Sequence, residues 1–277
     1  MPVASSIVET VVETAVETAV EVDGVRIPYR VVGEGPPLVL IHGTGPGSAM
    51  WDDTLDRYAA RRTVLLPDLS GSAWVEDDGA PLAVERLAAQ VAGVIEHASR
   101  GPADVIGFSM GATVALGLGA LHPDLVRRLI PVAGWPDAED EYLRNLMTVW
   151  SRLASDPDAF GRFAILTAFS PAFLNTVGHE TVEAMAGFMQ PLPGTLRQIA
   201  YDKAVDLKPL LPRITAPTLI IGCTLDATIP VSNARRLHQL LPQSEYREFP
   251  TGHIVLAERP EEFLETVFGF FDSGAKG

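Results

Sequence analysis

Three residues of this chain have the types that nucleophilic acyl chemistry requires: Ser109, Asp226 and His253. A serine hydroxyl is a poor nucleophile at neutral pH. An imidazole can take its proton and pass it to a leaving group, and a carboxylate on the far ring nitrogen fixes the tautomer and stabilises the imidazolium. The local settings match that division of roles. Ser109 is the centre of Gly107-Phe108-Ser109-Met110-Gly111, with an apolar run at 102–108 before it and a run of small and apolar residues at 110–121 after it. The first run reads as a strand and the second as a buried helix, which sets the serine on a strand-to-helix turn. Asp226 follows the apolar run 217–223, and His253 follows the alternating run 244–250. All three therefore sit beyond strand ends, the edge at which open α/β sheets bind ligands.

Each residue also has a plainer reading, Ser109 as a helix N-cap and His253 as a surface loop histidine. The strand before Ser109 and the partners after it favour the catalytic reading. His97, His122, His179 and His238 read as exposed or helix-end residues, and none has metal-ligand spacing with a cysteine or carboxylate, so no metal is implied. Cys223 is the only cysteine, at the end of an apolar strand, and reads as a buried thiol in a reducing compartment.

From about Glu21 to Phe271 the chain resembles the α/β-hydrolase superfamily. The resemblance is carried by His42-Gly43-Thr44-Gly45 after the strand at 38–41, by Gly107 to Gly111, by the Asp226 loop, and by Gly252-His253 with Glu258-Arg259-Pro260-Glu261-Glu262-Phe263 behind it. It implies an α/β fold in which a mostly parallel central sheet is flanked by helices and carries an inserted helical cap. It also implies roles: Ser109 as nucleophile, His253 as general base, Asp226 as orienting acid, and the backbone amides of Thr44 and Met110 as oxyanion hole. No cofactor is implied. Some members carry the acid after the preceding strand, which makes Asp137 the alternative to Asp226, and His42 is read as support for the oxyanion loop.

The expected organisation is a lead-in at 1–19, a core made of 20–134 and 214–277, and a cap at 135–213. The lead-in repeats every four residues, Ile7-Val8-Glu9-Thr10 through Ala19-Val20-Glu21-Val22; its valines and threonines favour a strand over a helix, and the expectation is an extended edge strand or a partly disordered lead-in. The cap is expected because a structureless loop of that length inside a compact domain is implausible. Pro136, Pro157, Pro171, Pro191, Pro193 and Pro209 break its helical patterning. Trp150, Phe160, Phe163, Phe169, Phe173, Met185, Phe188 and Met189 are candidates for its inner surface.

With 277 residues, 47% of them hydrophobic, the chain can bury one large core. A formal net charge of -14 disfavours nucleic acid, anionic membranes and polyanionic substrates as partners. No apolar run reaches membrane-spanning length and the start lacks the basic and apolar segments of a secretory signal, so the expected location is the cytoplasm. The expected partner is a small-molecule substrate, and a homodimer is left open.

The leading functional expectation is a serine hydrolase that cleaves an ester, thioester or lactone of a small, largely apolar molecule through an acyl-enzyme. The alanine, valine and arginine content points to bacterial small-molecule metabolism. The alternative is hydrolysis of a carbon-carbon bond in a vinylogous diketone, because residues 42–51 with Gly107 to Gly111 resemble the ring-fission hydrolases of this fold, chiefly at Gly45-Pro46-Gly47. Two departures weigh against it: Ile254 stands where those enzymes carry tryptophan, and Thr224-Leu225 where they carry an Arg-Asp pair. Carboxylate recognition would also need a cap arginine, from among Arg144, Arg152, Arg162 and Arg197. A lyase or cyclase reusing the pocket, and a noncatalytic small-molecule receptor, complete the alternatives. Ser109 argues against dehalogenase and epoxide hydrolase chemistry, which in this fold use an aspartate at that position.

Overall fold

The computed structural model describes residues 16–45, 47–72, 75–98 and 101–273, the side chains of Val16 and Glu17 excepted. Most of the N-terminal repeat, and Pro46 of the Gly45-Pro46-Gly47 turn, lie outside the described residues. Eight strands form one sheet: β1 (Val16–Val22), β2 (Val25–Val32), β3 (Pro37–Ile41), β4 (Thr63–Pro67), β5 (Ala103–Phe108), β6 (Val126–Val132), β7 (Leu219–Cys223) and β8 (Glu245–Phe249). Their spatial order is β1-β2-β4-β3-β5-β6-β7-β8. The β1·β2 and β2·β4 pairs are antiparallel and the remaining pairs parallel.

The inner strands are apolar at successive positions because both faces are covered. Val39, Val105 and Leu129 enter one core, and Leu40, Ile106 and Ile130 enter the other. The first core is closed by α2 (Val84–His97) and α3 (Met110–Leu121), and the second by α1 (Asp52–Ala59) and α11 (Pro260–Ser273). The last copies of the repeat form β1, whose Val20 and Val22 pack on the core while Glu21 faces solvent. The strand begins inside the stretch 1–19.

Between β6 and β7 the chain builds α4 (Glu141–Arg152), α5 (Pro157–Ala168), α6 (Pro171–Val177), α7 (His179–Phe188) and α8 (Pro193–Asp202). Three of the prolines expected to break helices instead begin them, because a first-turn residue needs no amide hydrogen and proline's φ suits the helix. Asp156 and Ser170 cap the helices that Pro157 and Pro171 open, accepting from the amides of Ala159 at 3.1 Å and Phe173 at 3.2 Å. A bridge between Asp137 and Asp206 ties the two ends of the insertion together. After β7 come α9 (Val231–Leu240) and, past β8, α10 (Val255–Glu258) leading into α11. No helix among the described residues is long and apolar enough to cross a membrane.

Candidate active site

Ser109 joins β5 to α3 with φ 56° and ψ -120°, a left-handed backbone that L-residues seldom adopt. The flanking glycines make this turn feasible. A Cβ on Gly107 would lie 2.1 Å from the Gly111 carbonyl oxygen, and one on Gly111 would lie 2.4 Å from that of Ile41. The turn is held to the sheet by the Ser109 amide, which donates to the Val132 carbonyl at 2.9 Å. Met110 is the first residue of α3, so its amide has no acceptor within the helix and lies at the positive end of the helix dipole.

His253 and Asp226 are brought together from different strand ends. The imidazole Nδ1 and Asp226 Oδ2 are 2.6 Å apart, with the side chains 5% and 0% exposed, so the contact is shielded from water. The other carboxylate oxygen accepts from the amides of Thr228 at 2.8 Å and Ile229 at 2.7 Å, which orients the acid. Glu258 braces the other side of His253. Its Oε1 accepts from the Gly252 amide at 3.1 Å and the Ser170 amide at 2.7 Å, and the Ser170 hydroxyl donates to its Oε2 at 2.7 Å. The inserted helices are thereby tied to the histidine loop. The alternative acid, Asp137, is buried and committed elsewhere, accepting from Arg236 Nη1 at 3.0 Å. Cys223 is buried as expected, and burial pushes its thiol up to about 12.

The loop that begins at His42-Gly43 lies beside Ser109, since a Cβ on Gly43 would approach the Ser109 Cβ at 3.2 Å. His42 secures it from beneath, with Nδ1 donating to the Gly43 carbonyl at 2.7 Å and Nε2 accepting from the Leu69 amide at 3.0 Å. Complete burial pushes the His42 pKa down, which keeps the ring neutral and able to do both. Helix α8 holds the loop from the other side. Gln198 Oε1 accepts from the Gly45 amide at 2.8 Å, and the Thr44 hydroxyl donates to Asp202 Oδ2 at 2.6 Å.

Two cavities with shared walls adjoin these groups. Ser109, His253, Thr44 and Phe108 line a small one of about 70 Å³, with Trp150 and Thr228 among its other walls. A larger one of about 410 Å³ shares Thr44, Phe108 and Ile254 with it and has no charged side chain among the described residues of its walls. Of the residues expected on the inner surface of the inserted helices, Phe169, Met185, Phe188 and Met189 line the large cavity, and Trp150 and Met189 line the small one. Phe160, Phe163 and Phe173 line neither. Phe160 is buried in a stack on Trp150 with ring centroids 5.3 Å apart, Phe163 packs on the main core, and Phe173 stacks on Phe169 at 5.0 Å. The candidate arginines also lie elsewhere: Arg144 pairs with Glu141, Arg162 with Asp158 and Glu183, Arg197 with Asp77, and Arg152 is exposed.

A family model described as the alpha/beta hydrolase fold matches residues 36–260. The chain belongs to the α/β-hydrolase family. It is similar to the pyrrolizixenacetamide deacetylase of Xenorhabdus hominickii, with 35% identity over 254 residues that cover 90% of this chain and 96% of that protein. It is also similar to a putative carbamate hydrolase, RutD, of Azorhizobium caulinodans, with 31% identity over 248 residues covering 87% and 93%. Among solved structures, an α/β-hydrolase enzyme from a Medee basin deep-sea metagenome library matches with a TM-score of 0.84 and 21% identity, covering 92% of this chain and 98% of that one. That structural likeness concerns the fold.

Within this α/β-hydrolase fold, sequence reasoning missed Gln198, Asp202 and Glu258 as supports of the site. Gln198 and Asp202 carried no signal in the sequence, because that α8 buries them beside Thr195, Ile199 and Tyr201 is visible only in the structure.

Proposed function

We propose that the protein is a serine hydrolase that cleaves an ester, thioester or lactone, or a related amide-type acyl bond, of a small and largely apolar molecule through an acyl-enzyme. The observation that carries this reading is the 2.6 Å contact between His253 and Asp226 at a cavity that Ser109 also lines. With its Nδ1 proton donated to Asp226, the imidazole keeps Nε2 free as a base. Ser109 Oγ attacks the acyl carbon while Nε2 takes its proton, and the oxyanion accepts hydrogen bonds from the Met110 and Thr44 amides. Collapse breaks the bond to the leaving group, which receives the proton from His253. Water then attacks the acyl-enzyme with His253 again as base, releasing the acid and restoring Ser109.

The walls of the large cavity favour a neutral, apolar portion of substrate, and the small cavity beside Ser109 favours a short second portion. The names of the two relatives, a deacetylase and a carbamate hydrolase, support acyl transfer to water and extend the range of acyl donors toward amide-type bonds. Carbon-carbon hydrolysis of a carboxylated diketone draws no support from the cavity, because none of the four candidate arginines lines it.

The test is release of p-nitrophenol from acetyl, butyryl and octanoyl esters by wild type and Ser109→Ala. Loss on the order of ten-thousandfold or more in the mutant is expected. Release that is insensitive to Ser109, or absent throughout, would reject the esterase reading in favour of elimination, carbon-carbon cleavage or ligand sensing.

A further inference from the structure

Helix α8 lies outside the catalytic groups just described, yet it makes two direct contacts with the loop proposed to hold the oxyanion. Gln198 and Asp202 are one turn apart on its buried face, the spacing that aligns side chains along a helix. Gln198 takes the Gly45 amide at 2.8 Å and Asp202 takes the Thr44 hydroxyl at 2.6 Å. Each side chain also has a buried polar atom without a hydrogen-bond partner among the described residues, Gln198 Nε2 and Asp202 Oδ1. One is a donor and the other an acceptor, so these two polar groups are buried for the sake of the loop and are not fully satisfied by it. Buried polar groups left partly unpaired destabilise a fold, and they persist where something else requires them. The helix is also seated with little freedom. A Cβ on Gly194 would fall 2.3 Å from the Gly71 carbonyl oxygen, in the same turn region as Leu69, whose amide meets His42.

We propose that Gln198 and Asp202 are positioning residues that set the Thr44–Gly45 segment for oxyanion binding, so that α8 of the inserted helices takes part in the chemistry of the core. The inference rests on the acyl-hydrolase reading above. A donor that must sit about 3 Å from a developing oxyanion loses much of its effect if its loop shifts by an ångström, whereas ground-state binding in the apolar cavity is little changed. The signature is therefore a loss in kcat with KM nearly constant.

Asp202 adds a second signature. Burial, opposed only by the Thr44 hydrogen bond, pushes its carboxyl up to about 7. The titratable neighbour is the Tyr201 phenol, which burial holds protonated and on which both Asp202 and Glu85 act. Among the described residues no charged side chain offsets an ionised Asp202, and its negative charge one side chain away from the Thr44 amide opposes the oxyanion. The kcat profile should therefore decline as pH rises through about 7.

The test measures kcat and KM on p-nitrophenyl butyrate from pH 5.5 to 9 for wild type, Gln198→Leu, Asp202→Ala and Asp202→Asn, with folded enzyme counted by thermal melts and active-serine titration. Gln198→Leu and Asp202→Ala are expected to lower kcat by about ten- to hundredfold, less than removal of an oxyanion donor outright, with KM within about threefold. Asp202→Asn keeps an acceptor for Thr44, so it should recover most of the kcat lost in Asp202→Ala and abolish the alkaline decline. Ser109-dependent turnover that survives Gln198→Leu and Asp202→Ala unchanged, or that Asp202→Asn leaves with its alkaline decline intact, overturns this inference alone. Absence of Ser109-dependent turnover in wild type overturns it together with the acyl-hydrolase reading.

Discussion

The two edges of the sheet each bury a fully enclosed aspartate, and they do so in opposite ways. At the amino edge Asp104, on β5, accepts from Arg62 Nη1 at 2.9 Å and Arg127 Nε at 2.8 Å, with Arg128 3.8 Å away, and it lines none of the cavities described above. At the carboxyl edge Asp226 is met by two backbone amides and one imidazole, and the imidazole borders a cavity. The first carboxylate is neutralised by fixed charges and has no atom left to act on a ligand. The second is held by neutral dipoles and a single imidazole, the arrangement that the proposed acyl-hydrolase role of His253 requires. Burial alone does not separate the two carboxylates, and the partner does.

One substitution, aspartate to asparagine, probes this comparison at four buried positions. The largest effect is expected at Asp226, where the amide would stabilise neither the imidazolium nor the required tautomer, and kcat should fall on the order of 10³- to 10⁴-fold. Asp137→Asn is its control and should stay within about twofold of wild type. Equal losses at the two positions would show that the choice of acid is wrong. Asp104→Asn should leave turnover per folded molecule intact while removing about 3 kcal/mol of stability, a drop in Tm of roughly 10 °C, because it strands the buried Arg62 guanidinium. A loss of turnover at unchanged Tm would erase the contrast between the edges.

The smallest effect concerns stability against pH at Asp202. Its carboxyl lies well above the ordinary value in the folded protein, so the folded state holds the proton more tightly than the unfolded chain does. Stability should thus decline as pH rises from about 4 to about 7 and level off beyond, by about 2–4 kcal/mol. Asp202→Asn should remove that component of the slope, and calorimetric melts at pH 5.5 and 8.5 would measure it. An unchanged slope would place the pH dependence elsewhere.

What could be read along the chain was local. The glycines around Ser109, the apolar runs of β3 and β5 to β7, and the period-two pattern of β1 each express a backbone constraint within a few residues, and each is where the structure has it. The prolines of the insertion misled because the same residue that breaks a helix interior suits its first turn, and the difference rests on the capping Asp156 or Ser170 just before it. The setting of Asp104 was not legible, because its arginines come from β6 and from the turn before β4 and no local pattern connects them.

Sequence alone determined the order of strands and helices and which strand ends carry a serine, an acid and a histidine, because periodicity and turn chemistry act over neighbouring residues. Only the tertiary structure decided that Asp226 and not Asp137 faces His253, and that Phe169 and Met189 line a cavity while Phe160 lies in the core. It alone also brought Gln198 and Asp202 to a loop more than a hundred residues away. Those outcomes depend on distances through space between elements far apart in the chain, set by how helices pack on the sheet edge.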